Sequence, residues 1–150
     1  PSTEEEKKKV QEFMYKDARR GSILIERVVR NNKGEAHKKR YVVMDKEPAA
    51  GSDDWKRVVG VVCLGKPWQF KTWPQKYFGQ NIATGNMAET FHKVCGVYFH
   101  YTDDKVSELV KGWNVKRIGL NRSSRHHDIT AFQDFWKHVE EFLAARRKKS

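Results

Sequence analysis

Apolar positions follow two rhythms along the chain. From Ser22 to Arg30 and from Arg40 to Met44, β-branched and aromatic residues crowd into short runs. Asn31, Asn32, Lys33 and Gly34 lie between them and suit a turn with positive φ, so a β-hairpin is predicted. Upstream, Ser2 to Arg20 reads as a helix. Thr3 and Glu6 form a capping box, acids lead and bases trail, and Val10, Phe13, Met14 and Ala18 make a narrow apolar stripe suited only to a lateral contact.

After a loop with Pro48, Gly51 and Ser52, the run Arg57 to Leu64 (RVVGVVCL) is almost continuously apolar, the pattern of a central strand covered on both faces. A short helix near Asn86 to Lys93 and a strand from Gly96 to Tyr101 follow. Next come a helix from Asp103 to Gly112, with Val106, Leu109 and Val110 on one face, and a strand from Val115 to Leu120. In the final helix Phe132, Phe135, Trp136, Val139, Phe142 and Leu143 recur at helical spacing behind a second capping box, Thr130 with Gln133, and this helix is expected to pack on the sheet. Strands alternating with helices predict an α/β domain with parallel strands and right-handed crossovers. The expected division is a charged N-terminal helix over 1–21, an α/β domain over 22–146 and a basic tail over 147–150.

Composition supports a folded domain. The chain has 150 residues, 38% of them hydrophobic, with 5 Trp, 8 Phe and 5 Tyr to build a core. A net charge of +11 raises encounter rates with acidic partners, and nucleic acid, phosphorylated peptides and acidic protein tails all answer to that field. Cys63 and Cys95 sit in or beside apolar runs and are expected as buried, reduced thiols. No apolar run approaches the ~20 residues a membrane helix needs, and no signal-peptide pattern opens the chain, so a soluble intracellular protein is expected.

Gly60 to Pro67 (GVVCLGKP) matches the phosphate-loop spacing until its last position, where Pro67 supplies neither the hydroxyl that binds magnesium nor a backbone N–H. Gly60 also lies inside the apolar run. Together Gly60, Gly65, Lys66 and Pro67 read as a degenerate loop without nucleotide hydrolysis. No metal site is expected, because His92 and Cys95 make only one pair and His126 and His127 are adjacent. No serine or cysteine stands in a nucleophile motif.

Trp68, Phe70 and Trp73 are interleaved with Lys66, Lys71 and Lys76 just past the carboxyl end of a predicted strand, where open α/β sheets bind ligands. They could stack on a base or grip a peptide, yet their apolar area favours the core. Arg122, Arg125, His126 and His127 form a second basic cluster before the last helix, placed to meet an anion, although Arg125 could instead pair with Asp128.

The strings DWKRVVGVVCLGKPWQFKTWP, KGWNVKRIGLNRSSRHHD and FQDFWKHVEEF together resemble the C-terminal domain of the parafibromin family. The matching positions are Asp54 and Trp55 before Arg57, Val58 and Val59, then Gly65 with Trp68, Gln69 and Phe70. Trp113, Asn114, Val115, Arg125, His126, Phe135 and Trp136 complete them. The likeness runs from Asp54 to Leu143, with a weaker fit over the hairpin. It departs at the N-terminus, where the family carries an apolar strand and helix and this chain has the charged segment Glu4 to Arg20.

The resemblance implies a Ras-like α/β fold, a mixed sheet flanked by helices without a functional nucleotide site and without a cofactor. It also implies a non-enzymatic interaction module of the Paf transcription elongation complex in the nucleus. Partners would be other Paf complex subunits, chromatin, and phosphorylated C-terminal repeats of RNA polymerase II or of an elongation factor. On this reading Lys66, Lys71, Lys76, Arg122, Arg125 and His126 are the candidate phosphopeptide or anion ligands. Direct nucleic-acid binding is the alternative, and a degenerate GTPase the third reading.

Overall fold

The computed structural model describes residues 22–66, 68–80, 82, 85–124 and 128–149; the helix predicted over 1–21 lies outside them. The chain divides between Ala49 and Ala50 into two units, inside the stretch 22–146 read from sequence as one domain. The first unit contains the predicted hairpin. Strand β1 (Ser22–Arg30) pairs antiparallel with β2 (Ala36–Met44), in register from Ser22 opposite Met44 to Arg30 opposite Ala36. β2 therefore starts four residues before the predicted run at Arg40, because ladder hydrogen bonds carry Ala36 and the polar residues His37 to Lys39 along with it. In the turn, the Asn31 side-chain oxygen accepts from the N–H groups of Lys33 and Glu35, both at 2.9 Å. Of the turn residues only Gly34 takes the left-handed conformation, with φ 78°.

The second unit is built on a three-stranded parallel sheet of β3 (Gly60–Val62), β4 (Cys95–Tyr101) and β5 (Lys116–Leu120), in that order. The fold is mixed α/β as expected, but the apolar run is not its central strand. Asp53–Arg57 is a 3-10 helix capped by the Ser52 hydroxyl, which accepts from Asp54 N–H at 3.1 Å. Among the described residues β3 lies at the edge and β4 in the middle. Val62 and Leu64 are accordingly exposed, whereas Cys95 and Val97 are buried.

Among the described residues four α-helices complete the unit: α1 (Gln75–Phe78), α2 (Thr90–Lys93), α3 (Glu108–Lys111) and α4 (Asp128–Lys149). The helices predicted over 86–93 and 103–112 shrink to α2 and α3. Asn86 turns its side chain back to accept from Ala88 N–H at 3.3 Å, and Asp103 and Asp104 are drawn to Arg122. Helix α4 begins at Asp128, so Thr130 and Gln133 lie within it and do not form the predicted capping box.

Residues on one sheet face pack against α4, where Phe99 stacks on Phe135 at 5.8 Å between centroids. Gly60 belongs to this face; a Cβ there would lie 3.7 Å from Val139 Cγ2. The opposite face carries an aromatic core. Phe70 meets Trp73 at 4.8 Å, Phe91 at 5.9 Å and Trp113 at 5.8 Å, and Trp55 meets Trp73 at 5.3 Å. These edge-on contacts add about 0.5–1.5 kcal/mol each beyond the area they bury.

Both cysteines are buried and free. Burial pushes the Cys63 thiol up to about 12, against a backbone hydrogen bond to Val97, and pushes Cys95 up to about 11. In the unfolded chain they ionise near ~8.5. The folded state therefore holds more protons at alkaline pH, and this contribution to stability, complete below ~8.5, falls away as pH rises through 11 and 12. At pH 8 iodoacetamide should label the native thiols at least about a hundredfold more slowly than the denatured ones. Rapid native labelling, followed by mass spectrometry, would count against this burial.

Candidate functional site

Because the three strands are parallel, their carboxyl ends open on one edge of the sheet. The loop after β3 carries Lys66, Trp68 and Lys71, the segment after β4 carries Asp103 and Asp104, and the segment after β5 carries Arg122. The β3 and β5 loops are thus two strand spacings apart, about 10 Å, with the acidic segment between them.

The loop after β3 is shaped by Gln69. Its carboxamide accepts from Leu64 N–H at 2.7 Å and donates to Val62 C=O at 2.9 Å, so one side chain satisfies two outward-facing backbone groups of the strand. Gly65 turns the chain with φ 73°; a Cβ there would come 3.2 Å from Tyr98 and 3.3 Å from Ser107. From Lys66 the chain runs through i to i+3 turns, Gln69 N–H to Lys66 C=O, Lys71 to Trp68 and Trp73 to Phe70. A phosphate loop requires the free amides of an α-helix start at that point. Leu64 N–H is already spent on Gln69, and Gly60 is packed into β3; Pro67 lies outside the described residues.

The aromatic candidates separate. Phe70 and Trp73 are core residues, 2% and 8% exposed, while Trp68 is 61% exposed. Lys66 and Lys71 are exposed beside it in sequence. Lys76 stands on α1 with its Nζ 5.2 Å from the centre of the Tyr77 ring.

Arg122 is held in place. Its Nε donates to Asp103 Oδ1 at 3.0 Å, its Nη2 to Asp104 Oδ2 at 2.7 Å, and its guanidinium lies 3.9 Å from the Tyr101 ring centre. The hydrogen bond to Asp103, then that to Asp104, raises its pKa above the ordinary arginine value. An incoming anion would meet a guanidinium already paired with two carboxylates. Arg125, His126 and the possible Arg125 to Asp128 pair lie outside the described residues.

The segments carrying Lys66, Trp68 and Lys71 and the segment carrying Arg122 thus leave the sheet from the same edge, with Arg122 already paired to two aspartates. Sequence reasoning missed Gln69 and the aspartates that occupy Arg122; adjacency of Asp103 and Asp104 was their only signal. Among the described residues no cluster of three or more His, Cys, Asp or Glu side chains could hold a metal ion.

The family model described as "RNA pol II accessory factor, Cdc73 family, C-terminal" matches residues 2–142. The chain is 41% identical over 108 residues to the Protein CDC73 homolog of Arabidopsis thaliana, covering 71% of this chain and 24% of that one. Cell division cycle protein 73 of Caenorhabditis elegans is 33% identical over 101 residues, 67% of this chain and 18% of that one. The chain thus spans about a quarter or less of these relatives' length. A solved structure, the conserved domain of yeast Cdc73, aligns with a TM-score of 0.62 and 26% identity over 82% of this chain and 73% of that one.

Proposed function

The chain belongs to the Cdc73 family of RNA polymerase II accessory factors, and from that premise we propose that it is a non-enzymatic interaction module of the Paf transcription elongation complex, working in the nucleus. It would help attach that complex to chromatin and to phosphorylated C-terminal repeats of RNA polymerase II or an elongation factor. The observation that carries the peptide part of this reading is the loop held by Gln69, which leaves Trp68 exposed between Lys66 and Lys71. An aromatic face flanked by two ammonium groups suits an extended phosphopeptide, the phosphate meeting lysine and the apolar residues meeting indole.

The same proposal takes the sheet as a Ras-like scaffold without nucleotide machinery. Its support is the parallel order β3, β4, β5, the long α4 across one face, and a phosphate-loop string whose glycine Gly60 is consumed by packing. With Arg122 engaged by aspartates, Lys66 and Lys71 are the first ligands to test.

Repeat peptides with and without serine phosphate, titrated at physiological salt, should differ at least about tenfold in affinity, since a new charge-assisted hydrogen bond contributes roughly 1.5–3 kcal/mol. The double variant Lys66→Glu, Lys71→Glu should erase the preference. Equal affinities for the two peptides would remove the phosphopeptide reading. A single-stranded oligonucleotide that binds tighter than either, with a steep salt dependence, would favour nucleic acid instead.

A further inference from the structure

The outer side of β5 presents backbone groups with no strand beside them among the described residues. Pairing runs from Val97 opposite Lys116 to Tyr101 opposite Leu120, and Thr102 N–H donates to Leu120 C=O at 2.9 Å. This register turns the peptide groups of Lys116, Ile118 and Leu120 toward β4. The alternate residues, Arg117 and Gly119, then direct N–H and C=O away from the sheet. The edge at β3 is treated differently: Gln69 occupies Val62 C=O and Leu64 N–H there. No such plug stands along β5 among the described residues.

A groove follows this edge between β5 and α4. One stretch, about 360 Å³, is bounded by Lys116 to Gly119 and by Thr130, Ala131 and Asp134. It meets at Lys116 a second stretch of about 420 Å³ beneath the amino ends of β4 and β5, where Cys95 and Gly96 also line it. Thr130, Asp134, His138, Phe142 and Arg146 recur every four residues, so one stripe of α4 walls the whole groove. The second stretch has Phe91, Val115 and Phe142 as apolar lining and His92, Lys116, His138 and Arg146 around it, with no aspartate or glutamate among the described residues that line it. Burial, then Lys116, holds His138 below its ordinary pKa, against Glu141, and Lys116 and Arg146 bring cationic side chains to the same stretch.

We propose that this groove receives an extended acidic peptide from another protein, which adds as a fourth strand on the outer side of β5 and seats apolar side chains on Val115 and Phe142. An edge strand facing a helix is a recurring geometry for strand addition, where main-chain bonds supply affinity and alternate side chains supply choice. Lys116, Arg117 and Arg146 outnumber Asp134 along the groove and set the sign. Two copies of this chain meeting through β5 would line one seam with the Lys116 and Arg117 of each, so the charge that attracts an acidic strand disfavours self-pairing. This site is independent of the carboxyl edge and does not rest on the phosphopeptide reading.

The test uses the whole chain and a labelled nonapeptide of alternating valine and glutamate, read by anisotropy and by amide hydrogen exchange. Binding should protect the amides of Arg117 and Gly119. N-methylating the peptide along one edge keeps its charge but removes its donors, and should weaken binding at least tenfold on one of the two edges. Arg117→Pro removes an outward N–H without touching the β4 ladder and should weaken binding equally, while leaving any phosphopeptide affinity unchanged. Should that variant fail to fold, Lys116→Glu, an exposed side chain, should still weaken binding severalfold. The proposal is overturned if both N-methylated peptides bind as well as the parent, if protection maps away from β5, or if the chain alone dimerises and protects the same amides. Displacement by a single-stranded oligonucleotide that itself protects Arg117 and Gly119 would overturn it as well.

Discussion

Phe70→Ala is expected to cost about 3–5 kcal/mol of stability, a fall in melting temperature on the order of 10 °C or more. Phe70 is 2% exposed and its ring is shared by Trp73, Phe91 and Trp113, so truncation leaves a cavity bounded by rigid aromatics that cannot collapse into it. Trp68→Ala, two residues earlier, should leave stability within about 0.5 kcal/mol, because an indole that is 61% exposed has little burial to lose. The pair therefore separates fold from function: the first variant should melt early, and the second should melt normally and lose affinity for the phosphopeptide. Urea denaturation checks the former and peptide titration the latter. A Trp68→Ala chain that is strongly destabilised would place the indole in the core and deprive the proposed site of its aromatic face.

That contrast also marks what the sequence could tell. Trp68, Phe70 and Trp73 share a hexapeptide and similar chemistry, and no local pattern says that the middle and last turn inward. The i to i+3 turns that follow Lys66 decide it, and they depend on Gln69 reaching back to β3, a contact between residues five and seven apart in sequence. Strands β4 and β5 and the long α4 were legible because their apolar period is sustained over whole elements. The hairpin was legible from its turn chemistry. The rank of β3 was not, since continuous apolar residues mean burial without saying by what: there Trp55 turns inward from a 3-10 helix while Val62 faces solvent. Arg122 read as an anion ligand because charge was visible and partners 18 and 19 residues away were not. Family likeness, by contrast, needed only strings of residues, and the match over 2–142 supports it.

Gly96→Val should destabilise the chain by about 3 kcal/mol or more, although local preference predicts the opposite sign. Glycine is a poor strand residue and valine a good one, a difference of roughly 1 kcal/mol in favour of the variant. Space reverses it: a Cβ at Gly96 would sit 2.6 Å from both Phe91 Cε1 and Val115 Cγ1, inside the distance any carbon tolerates. Phe91 is 3% exposed and packed on Phe70 and Trp113, so it cannot retreat without disturbing the aromatic core. Gly119 on β5, on the same sheet face, provides the control. A Cβ there meets the Thr102 methyl at 2.7 Å, but Thr102 is exposed and free to change rotamer, so Gly119→Val should fall within about 1 kcal/mol of the parent, with strand preference partly repaying the contact. Urea midpoints for the two variants, at unchanged slope, decide between propensity and packing. If Gly96→Val were as stable as the parent, Phe91 would have to lie farther from β4, and with it the floor of the groove that Val115 shares would be differently shaped.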